Sequence, residues 1–330
     1  FSVGEALIGL GLGFGALGGA LGLIWLAGRM PGPGGGRKQA EARGGALRSF
    51  SRAYCTGAMW ILLTVFVLMT LNSAILYHTS GFGEKYLEAA AAEYGLEELE
   101  ALRNFVVEQC NTLCCRIPRN EDGSISYGGD MAEAARAAMG ELGTTYSGLD
   151  GFYPAPKPLR CSDFLSRRYI AGCFYPFSME ANYNDVMYVM NMPSTMCHEL
   201  AHLKGFIRED EANLIGYLAC VGSEDIYFRY SGYLSVLYYI DRDFRQAAGY
   251  ERYLAAAPIL PQVHEDNVFL TERERARVEE TASVGAEVVD AVSDQLSDVG
   301  LRLNGVPEGR LSYCKVVGLL LRYYDVNGYR

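Results

Sequence analysis

The residues of this sequence best suited to catalysis are two histidines that flank a glutamate. His198-Glu199-Leu200-Ala201-His202 reads HExxH, and it holds two of the four histidines in the 330 residues. On a helix, positions i and i+4 share a face, so His198 and His202 can present two imidazoles to one zinc ion at about 2.0–2.1 Å. Glu199 lies one residue round the helix, where it can act as general base on a metal-activated water. The motif predicts a hydrolytic zinc site; the alternative is an ordinary helix with two histidines on one face.

A catalytic zinc ion takes a third protein ligand, and the acidic residues that follow the motif are the best candidates. Glu209 and Asn213 are i and i+4 on the next predicted helix, so their side chains share a face. We expect Glu209 to bind the metal and Asn213 to hold one of the histidines in the correct tautomer. Glu211 points about 200° away from Glu209 on the same helix. It is the competing third ligand if that helix starts differently.

The elements on either side of the motif must place it correctly. Ser194 or Thr195 is the expected N-cap of the metal-binding helix, and Gly205 is the expected end. The chain then turns and should become helical again at about Glu209. Before the motif, the apolar and aromatic stretch 186–190 is typical of a strand. It is either an edge strand that binds the substrate backbone by strand addition or a buried strand without substrate contact.

Two long apolar runs precede the motif and predict membrane-spanning helices at about residues 5–27 and 54–77. A signal peptide is the alternative for the first run, but Glu5, the lack of a basic stretch before it and its length argue against that. The segment 28–53 is basic and rich in Gly and Pro, which predicts a short cytoplasmic loop or a flexible basic linker. With this loop inside, everything after about residue 80 lies outside the cytoplasm; with the loop outside, the orientation is reversed.

These features divide the chain into a membrane anchor, residues 1–79, and a zinc metallopeptidase-like domain, residues 80–330. The predicted fold class is α+β and mostly helical, with two transmembrane helices followed by a zincin-like domain that contains an HExxH helix and a glutamate helix. The net charge of −10 argues against nucleic-acid binding, which requires a basic face. Nine cysteines without a CxxC pair argue against a Cys-rich zinc ribbon. The sequence lacks an initiator Met, so we expect it to begin inside a longer protein.

The segment 208–213, Arg-Glu-Asp-Glu-Ala-Asn, resembles the RExxAD glutamate-helix motif of membrane gluzincins such as the HtpX-like and CAAX prenyl proteases. In those proteases the Glu of this motif binds zinc, which by position implies Glu209 as the third ligand here. The ImmA/IrrE peptidases similarly combine HExxH with a Glu-Ala-Asn motif. Two departures stand out. The gap between His202 and Glu209 is short and requires a tight turn at Gly205, and Asn213 stands where the better-known families have Asp.

The wider pattern resembles an uncharacterised bacterial membrane family, domain of unknown function 3810 (DUF3810). The resemblance covers nearly the whole chain, and its matching pieces are Phe1-Ser2-Val3-Gly4-Glu5, Glu180-Ala181-Asn182-Tyr183-Asn184, His198 to Asn213, Ser312-Tyr313 and Val316-Val317. It implies a multi-pass protein of the bacterial plasma membrane with a gluzincin-like domain. It supplies no substrate, because the family has no established function.

The expected function is therefore a membrane-anchored zinc metalloendopeptidase, with Zn²⁺ on His198, His202 and Glu209 and with Glu199 as general base. Its expected partners are the lipid bilayer and a peptide or protein substrate. Because the protein is anchored in the membrane, this substrate can itself be membrane-associated. No nucleic acid is expected as a partner. The alternative is a zinc-binding membrane sensor or scaffold with a peptidase-like fold and no general proteolytic activity. A purely structural membrane protein would leave the pairing of HExxH with the glutamate helix unexplained.

Overall fold

Two long apolar helices begin the chain. In the computed structural model, which describes residues 2–27, 37–87, 94–280 and 315–329, α1 covers Val3–Ala27 and α2 covers Arg37–Met69. A π-helical turn (Thr70–Ala74) and the short α3 (Ile75–Tyr77) continue α2. The stretches Val3–Ala20 and Ser49–Tyr77 are long and apolar enough to cross a membrane, and at most 6% of their residues are buried in the protein. The prediction of two apolar N-terminal helices is confirmed.

The loop predicted for residues 28–53 is wrong in its second part, because α2 already begins at Arg37. Residues 37–43 consist of Arg, Lys, Gln, Ala and Glu, all of which favour a helix. The prediction for residues 28–36 concerns a segment outside the described residues.

The two N-terminal helices pack against each other through a glycine. A Cβ atom on Gly18 of α1 would lie 2.4 Å from the hydroxyl oxygen of Tyr54 on α2, so a larger residue would separate the helices here. The rings of Phe14 and Tyr54 stack with their centroids 4.4 Å apart, and the Tyr54 hydroxyl donates to the Phe14 carbonyl. Small residues that allow such close approach are typical of helices that associate in membranes.

Helices also dominate the rest of the described chain, so the mostly helical fold is confirmed. They are α4 (Phe82–Tyr86), α5 (Leu96–Cys114), α6 (Met131–Thr145), α7 (Ser162–Arg167), α8 (Met192–Leu203), α9 (Glu209–Gly222), α10 (Ile226–Ala255), α11 (Pro261–Asp266), α12 (Glu272–Glu280) and α13 (Lys315–Asn327). Short 3-10 turns lie at Ser147–Leu149 and Val189–Asn191. Helix α10 is interrupted at Gly249, whose φ of 73° is not helical.

The strands form one small mixed sheet in the order β1-β3-β2. Strand β1 (Lys157–Pro158) runs parallel to the central β3 (Glu180–Tyr183), and β2 (Gly172–Tyr175) runs antiparallel to it on the other side. Among the described residues, β2 is therefore an edge strand. The strand predicted at residues 186–190 is wrong: this stretch leads into a 3-10 turn, and β3 is the strand that precedes the HExxH helix.

Helices α8 and α9 lie at the centre of the domain. Apolar side chains cover most of the α9 surface, and Leu214, Ile215, Tyr217 and Leu218 are all buried. Gly216 faces α8, where a Cβ atom would lie 3.1 Å from the backbone nitrogen of His198 and from the backbone oxygen of Ser194. This close approach fixes the two helices that carry the predicted metal ligands.

Candidate functional site

The HExxH helix begins and ends close to where the sequence predicts. Helix α8 covers Met192–Leu203, with Pro193 in its first turn and Asn191 at the N-cap in place of the predicted Ser194 or Thr195. Gly205 ends it with a φ of 88°, a conformation that glycine adopts without strain. Helix α9 then begins at Glu209, so a single tight turn connects the two helices.

This turn brings three predicted ligands together. The Nε2 atom of His198 lies 3.2 Å from one carboxylate oxygen of Glu209, and Nε2 of His202 lies 3.7 Å from the other. The three ligand atoms all lie within 4.8 Å of one another. Two donors that bind one tetrahedral zinc ion at about 2.1 Å are roughly 3.4 Å apart. The observed separations bracket this value, and two imidazoles with a carboxylate are a donor set that zinc accepts, so the residues fit the metal.

Both imidazoles are oriented by a second contact. Nδ1 of His202 lies 2.8 Å from the carbonyl oxygen of Phe206. Because a carbonyl only accepts, Nδ1 carries the proton, and Nε2 keeps its lone pair for the ligand position. His198 is hydrogen-bonded by the side chain of Asn213, which therefore lies where the sequence places it. Such contacts orient metal-binding histidines in known zinc sites.

Glu199 lies beside the three candidate ligands and is buried away from solvent. Its side chain is buried, with 5% exposure, and its Oε2 has no hydrogen-bond partner among the described residues. The edge strand contacts it: a Cβ atom on Gly172 would lie 2.5 Å from Glu199 Oε1. Burial raises the pKa of Glu199 to about 8; His198 opposes this rise and Glu209 adds to it.

The electrostatics of the three ligands are coupled. Burial is the largest single influence and disfavours the charged forms of both His198 and Glu209. The hydrogen bond between them and the attraction of their opposite charges together outweigh it, so the pKa of His198 is raised and that of Glu209 is lowered. Burial and the nearby His198 lower the pKa of His202 to about 4, so this imidazole is neutral. The proton that joins His198 and Glu209 lies where a metal ion would bind, so metal binding would displace it.

Glu211, the alternative third ligand, is directed away from the histidines. Its buried carboxylate accepts hydrogen bonds from the backbone N–H groups of Phe82 and Gly83, and Arg208 lies 3.8 Å from it. Because residues two apart on a helix point in nearly opposite directions, Glu209 and Glu211 cannot serve the same site. Glu211 instead holds the start of α4 against α9.

The candidate ligands open into a cavity of about 720 Å³. Besides the residues of α8 and α9, its lining includes residues of three other elements. They are the edge strand β2 with Gly172, Cys173 and Phe174, helix α10 with Ser235 and Tyr239, and the end of the second apolar helix with Ser73 and Tyr77. Neither His78, which follows α3, nor His264, which lies on α11, lines it. Four residues beside the candidate ligands cannot be recognised from the sequence, because nothing in their local sequence connects them with the motif: Gly172, Phe206, Ser73 and Tyr77.

Comparison with known proteins identifies one family. The family described as "Protein of unknown function (DUF3810)" matches residues 1–321. No curated protein and no solved structure is significantly similar to this chain. Because the match covers nearly the whole sequence, the resemblance to this family is confirmed, and the chain belongs to the DUF3810 family.

Proposed function

We propose that this protein is a membrane-anchored zinc-dependent peptidase. The observation that carries the proposal is the convergence of His198, His202 and Glu209 beside the buried carboxylate of Glu199 in one cavity. A purely structural histidine pair requires neither a carboxylate at ligand distance nor a second carboxylate with an unsatisfied oxygen next to it. Buried titratable groups gathered in a cleft are typical of active sites.

Each residue of the group would have a separate task. Zinc bound to the three ligands would acidify a water molecule and polarise a peptide carbonyl. Glu199 would accept the proton of the attacking water and pass it to the nitrogen of the leaving amine. Its Oε2 is free for this exchange because no described residue binds it. Phe206 and Asn213 would keep the two imidazoles in place through the cycle.

Strand β2 would hold the substrate backbone. Asn184 N–H donates to the Ala171 carbonyl at 2.8 Å, and bonded pairs alternate along an antiparallel ladder. The backbone groups of Gly172 and Phe174 therefore point away from β3, toward the free edge. Both residues line the metal-site cavity, so an extended peptide added to this edge would pass directly in front of Glu199. The strand-addition role expected for residues 186–190 belongs in this proposal to β2.

The two apolar helices would cross the bacterial plasma membrane as a hairpin. The first turn of α1 contacts the domain, since Gly4 N–H donates to Glu180 at 2.7 Å. The residues that directly follow α3 contact the domain as well, since Arg208 donates to the Thr79 carbonyl at 3.3 Å. Both outer ends of the hairpin thus lie at the domain, and the basic segment 28–53 would lie on the opposite, cytoplasmic side.

Metal analysis and peptidase assays test the proposal. The full chain, purified in lipid nanodiscs, should hold one zinc ion and cleave members of a random peptide library. Glu199→Gln should keep the zinc and lose at least about 100-fold in turnover, whereas His198→Ala should lose the zinc. Full activity of Glu199→Gln would refute the mechanism. Zinc binding without turnover of any peptide would favour the sensor or scaffold, and absence of zinc would exclude both.

A further inference from the structure

The metal-site cavity is built partly from the second apolar helix. Ser73, in the π-helical turn, and Tyr77, the last residue of α3, line the same cavity as His198 and Glu199. Leu76 packs against Gly205, the residue that ends the HExxH helix: a Cβ atom there would lie 3.5 Å from Leu76. The end of the proposed membrane span and the candidate catalytic group are therefore direct neighbours.

The turn between β2 and β3 lies between the outer ends of the two apolar helices and contacts both of them. On one side, Asn72 donates to the Pro176 carbonyl at 2.7 Å. On the other, Gly4 N–H donates to Glu180, and the Tyr175 ring packs so closely on Gly4 that a Cβ atom there would lie 2.1 Å from it. The tip of the turn exposes Met179, whose side chain is 40% accessible. An apolar tip in this position fits the interfacial layer of a bilayer.

Strand β2 connects these two features. Its first residue, Gly172, touches Glu199, and the residue after its end, Pro176, is bound by Asn72. The four steps along the chain from Gly172 to Pro176 span about 13 Å in an extended strand. Asn72 lies five residues before Tyr77, so it is about 7.5 Å inside the end of the helix. If β2 runs along the axis of the span, Gly172, the residue that touches Glu199, lies about 6 Å beyond the end of the span.

We propose that the substrate is a polypeptide inserted in the same membrane, cleaved in an extended segment next to its own transmembrane helix. This inference rests on the proposed peptidase function and names its substrate class. A backbone paired with the edge of β2 would run from Glu199 toward the bilayer and reach it within a few residues. The scissile bond would therefore lie within about six residues of the substrate's transmembrane segment, on the domain's side of the membrane.

The distance between the cleavage sequence and the membrane provides the test. A peptide sequence cleaved in the library screen is placed four or twenty residues from a synthetic Leu/Ala transmembrane helix, and each substrate is incorporated with the full zinc-loaded chain in vesicles. The local concentration of a flexibly tethered segment falls as about the −3/2 power of tether length, so we expect the near substrate to be cleaved about tenfold faster. Equal rates for the two substrates, or faster cleavage of the free peptide, would overturn the inference while leaving the peptidase function intact.

Crosslinking supplies a readout that does not depend on turnover. In the Glu199→Gln background, a photoreactive p-benzoylphenylalanine at position 73 should capture the near substrate and not the far one. The same group at position 152, where Phe152 is 79% exposed and outside the cavity lining, is the matched control and should capture neither. Capture at 152 but not at 73 would refute the placement. If the chain binds no zinc and cleaves no peptide, the proposed function itself fails, and this result is distinct from equal cleavage of the near and far substrates, which overturns only the inference.

Discussion

Replacing Gly172 with alanine would test how closely turnover depends on the position of Glu199. A Cβ atom at this position would lie 2.5 Å from Glu199 Oε1, 2.8 Å from Glu199 Cγ and 2.9 Å from the carbonyl oxygen of Asn182. All three contacts are shorter than non-bonded carbon and oxygen atoms tolerate. The Asn182 oxygen belongs to the backbone of the central strand, so the side chain of Glu199 is the part that must move.

The expected loss follows from the size of this movement. To restore an ordinary contact, the Glu199 carboxylate must retreat by roughly 1 Å. A misplacement of about 1 Å in a catalytic group costs on the order of 100-fold in rate, which corresponds to about 2.7 kcal/mol of transition-state stabilisation. The nearest atoms to the new methyl group belong to Glu199 and Asn182 and not to the three metal ligands, so zinc binding should be unchanged.

Zinc content and steady-state kinetics of the Gly172→Ala variant provide the assay. We expect one zinc ion per chain, a kcat reduced on the order of 100-fold and a much smaller change in KM. Gly140→Ala is the matched control, because it lies on helix α6 and a Cβ atom there would have no neighbour within 4 Å. Zinc-loaded Gly172→Ala with wild-type kcat would refute the reasoning. Loss of zinc would show instead that the substitution disturbs the whole site.

Three further predictions concern the third ligand, the packing of α8 against α9 and the charge of Glu180. Glu209→Gln should abolish zinc binding, whereas Glu211→Gln should keep the metal and lower the melting temperature; metal analysis and thermal unfolding of both variants check this. Gly216→Ala places a Cβ atom 3.1 Å from the backbone of His198, so zinc affinity should fall and unfolding should cost about 1–3 kcal/mol less. Burial disfavours the charged form of Glu180, but the hydrogen bonds that it accepts together outweigh burial and lower its pKa to about 2; the donors are Lys157, Gly4, Val3 and Ser178. The charged Glu180 therefore contributes fully to stability above about pH 4.5, and this contribution is lost as the pH falls toward 2. The unfolding free energies of wild type and Glu180→Gln should converge over that range.

Each of these outcomes has a clear opposite. Zinc retained by Glu209→Gln and lost by Glu211→Gln would reverse the assignment of the third ligand. Unchanged zinc affinity in Gly216→Ala would show that helices α8 and α9 have room to separate without moving the ligands. A difference between wild type and Glu180→Gln that stays constant down to pH 2 would contradict the lowered pKa of this carboxyl group.

The sequence predicts that the candidate ligands converge, because the geometry that brings them together is local. His198, His202, Glu209 and Asn213 lie within sixteen consecutive residues. Helical periodicity places each pair on one face, and one glycine with a positive φ, Gly205, sets the turn between the two helices. The two long apolar helices are predictable for a similar reason, since their length and composition can be read directly from the sequence.

The strand error at residues 186–190 comes from hydrogen bonds and strand pairings that composition does not encode. Residues 186–190 have the composition of a strand, but Asn184 and Asn191 bind the neighbouring backbone: the Val186 N–H donates to Asn184, and Asn191 donates to the Tyr188 and Val268 carbonyls. Such bonds replace the partners that a sheet would supply. The Glu-Ala-Asn-Tyr sequence of β3 has little strand propensity, and it is extended because β1 and β2 pair with it on both sides.

The two parts of the candidate site therefore differ in origin. The group of candidate metal ligands comes from one short segment, whereas the surfaces that would receive a substrate come from residues far away in the chain, such as Ser73, Tyr77 and Gly172. If the proposed function is correct, changes in the distant residues should alter which polypeptide is cleaved and where, and they should leave zinc affinity unaffected. The apolar hairpin is then more than an anchor: its last turns form one wall of the cavity, so the membrane itself determines which peptide bonds approach Glu199.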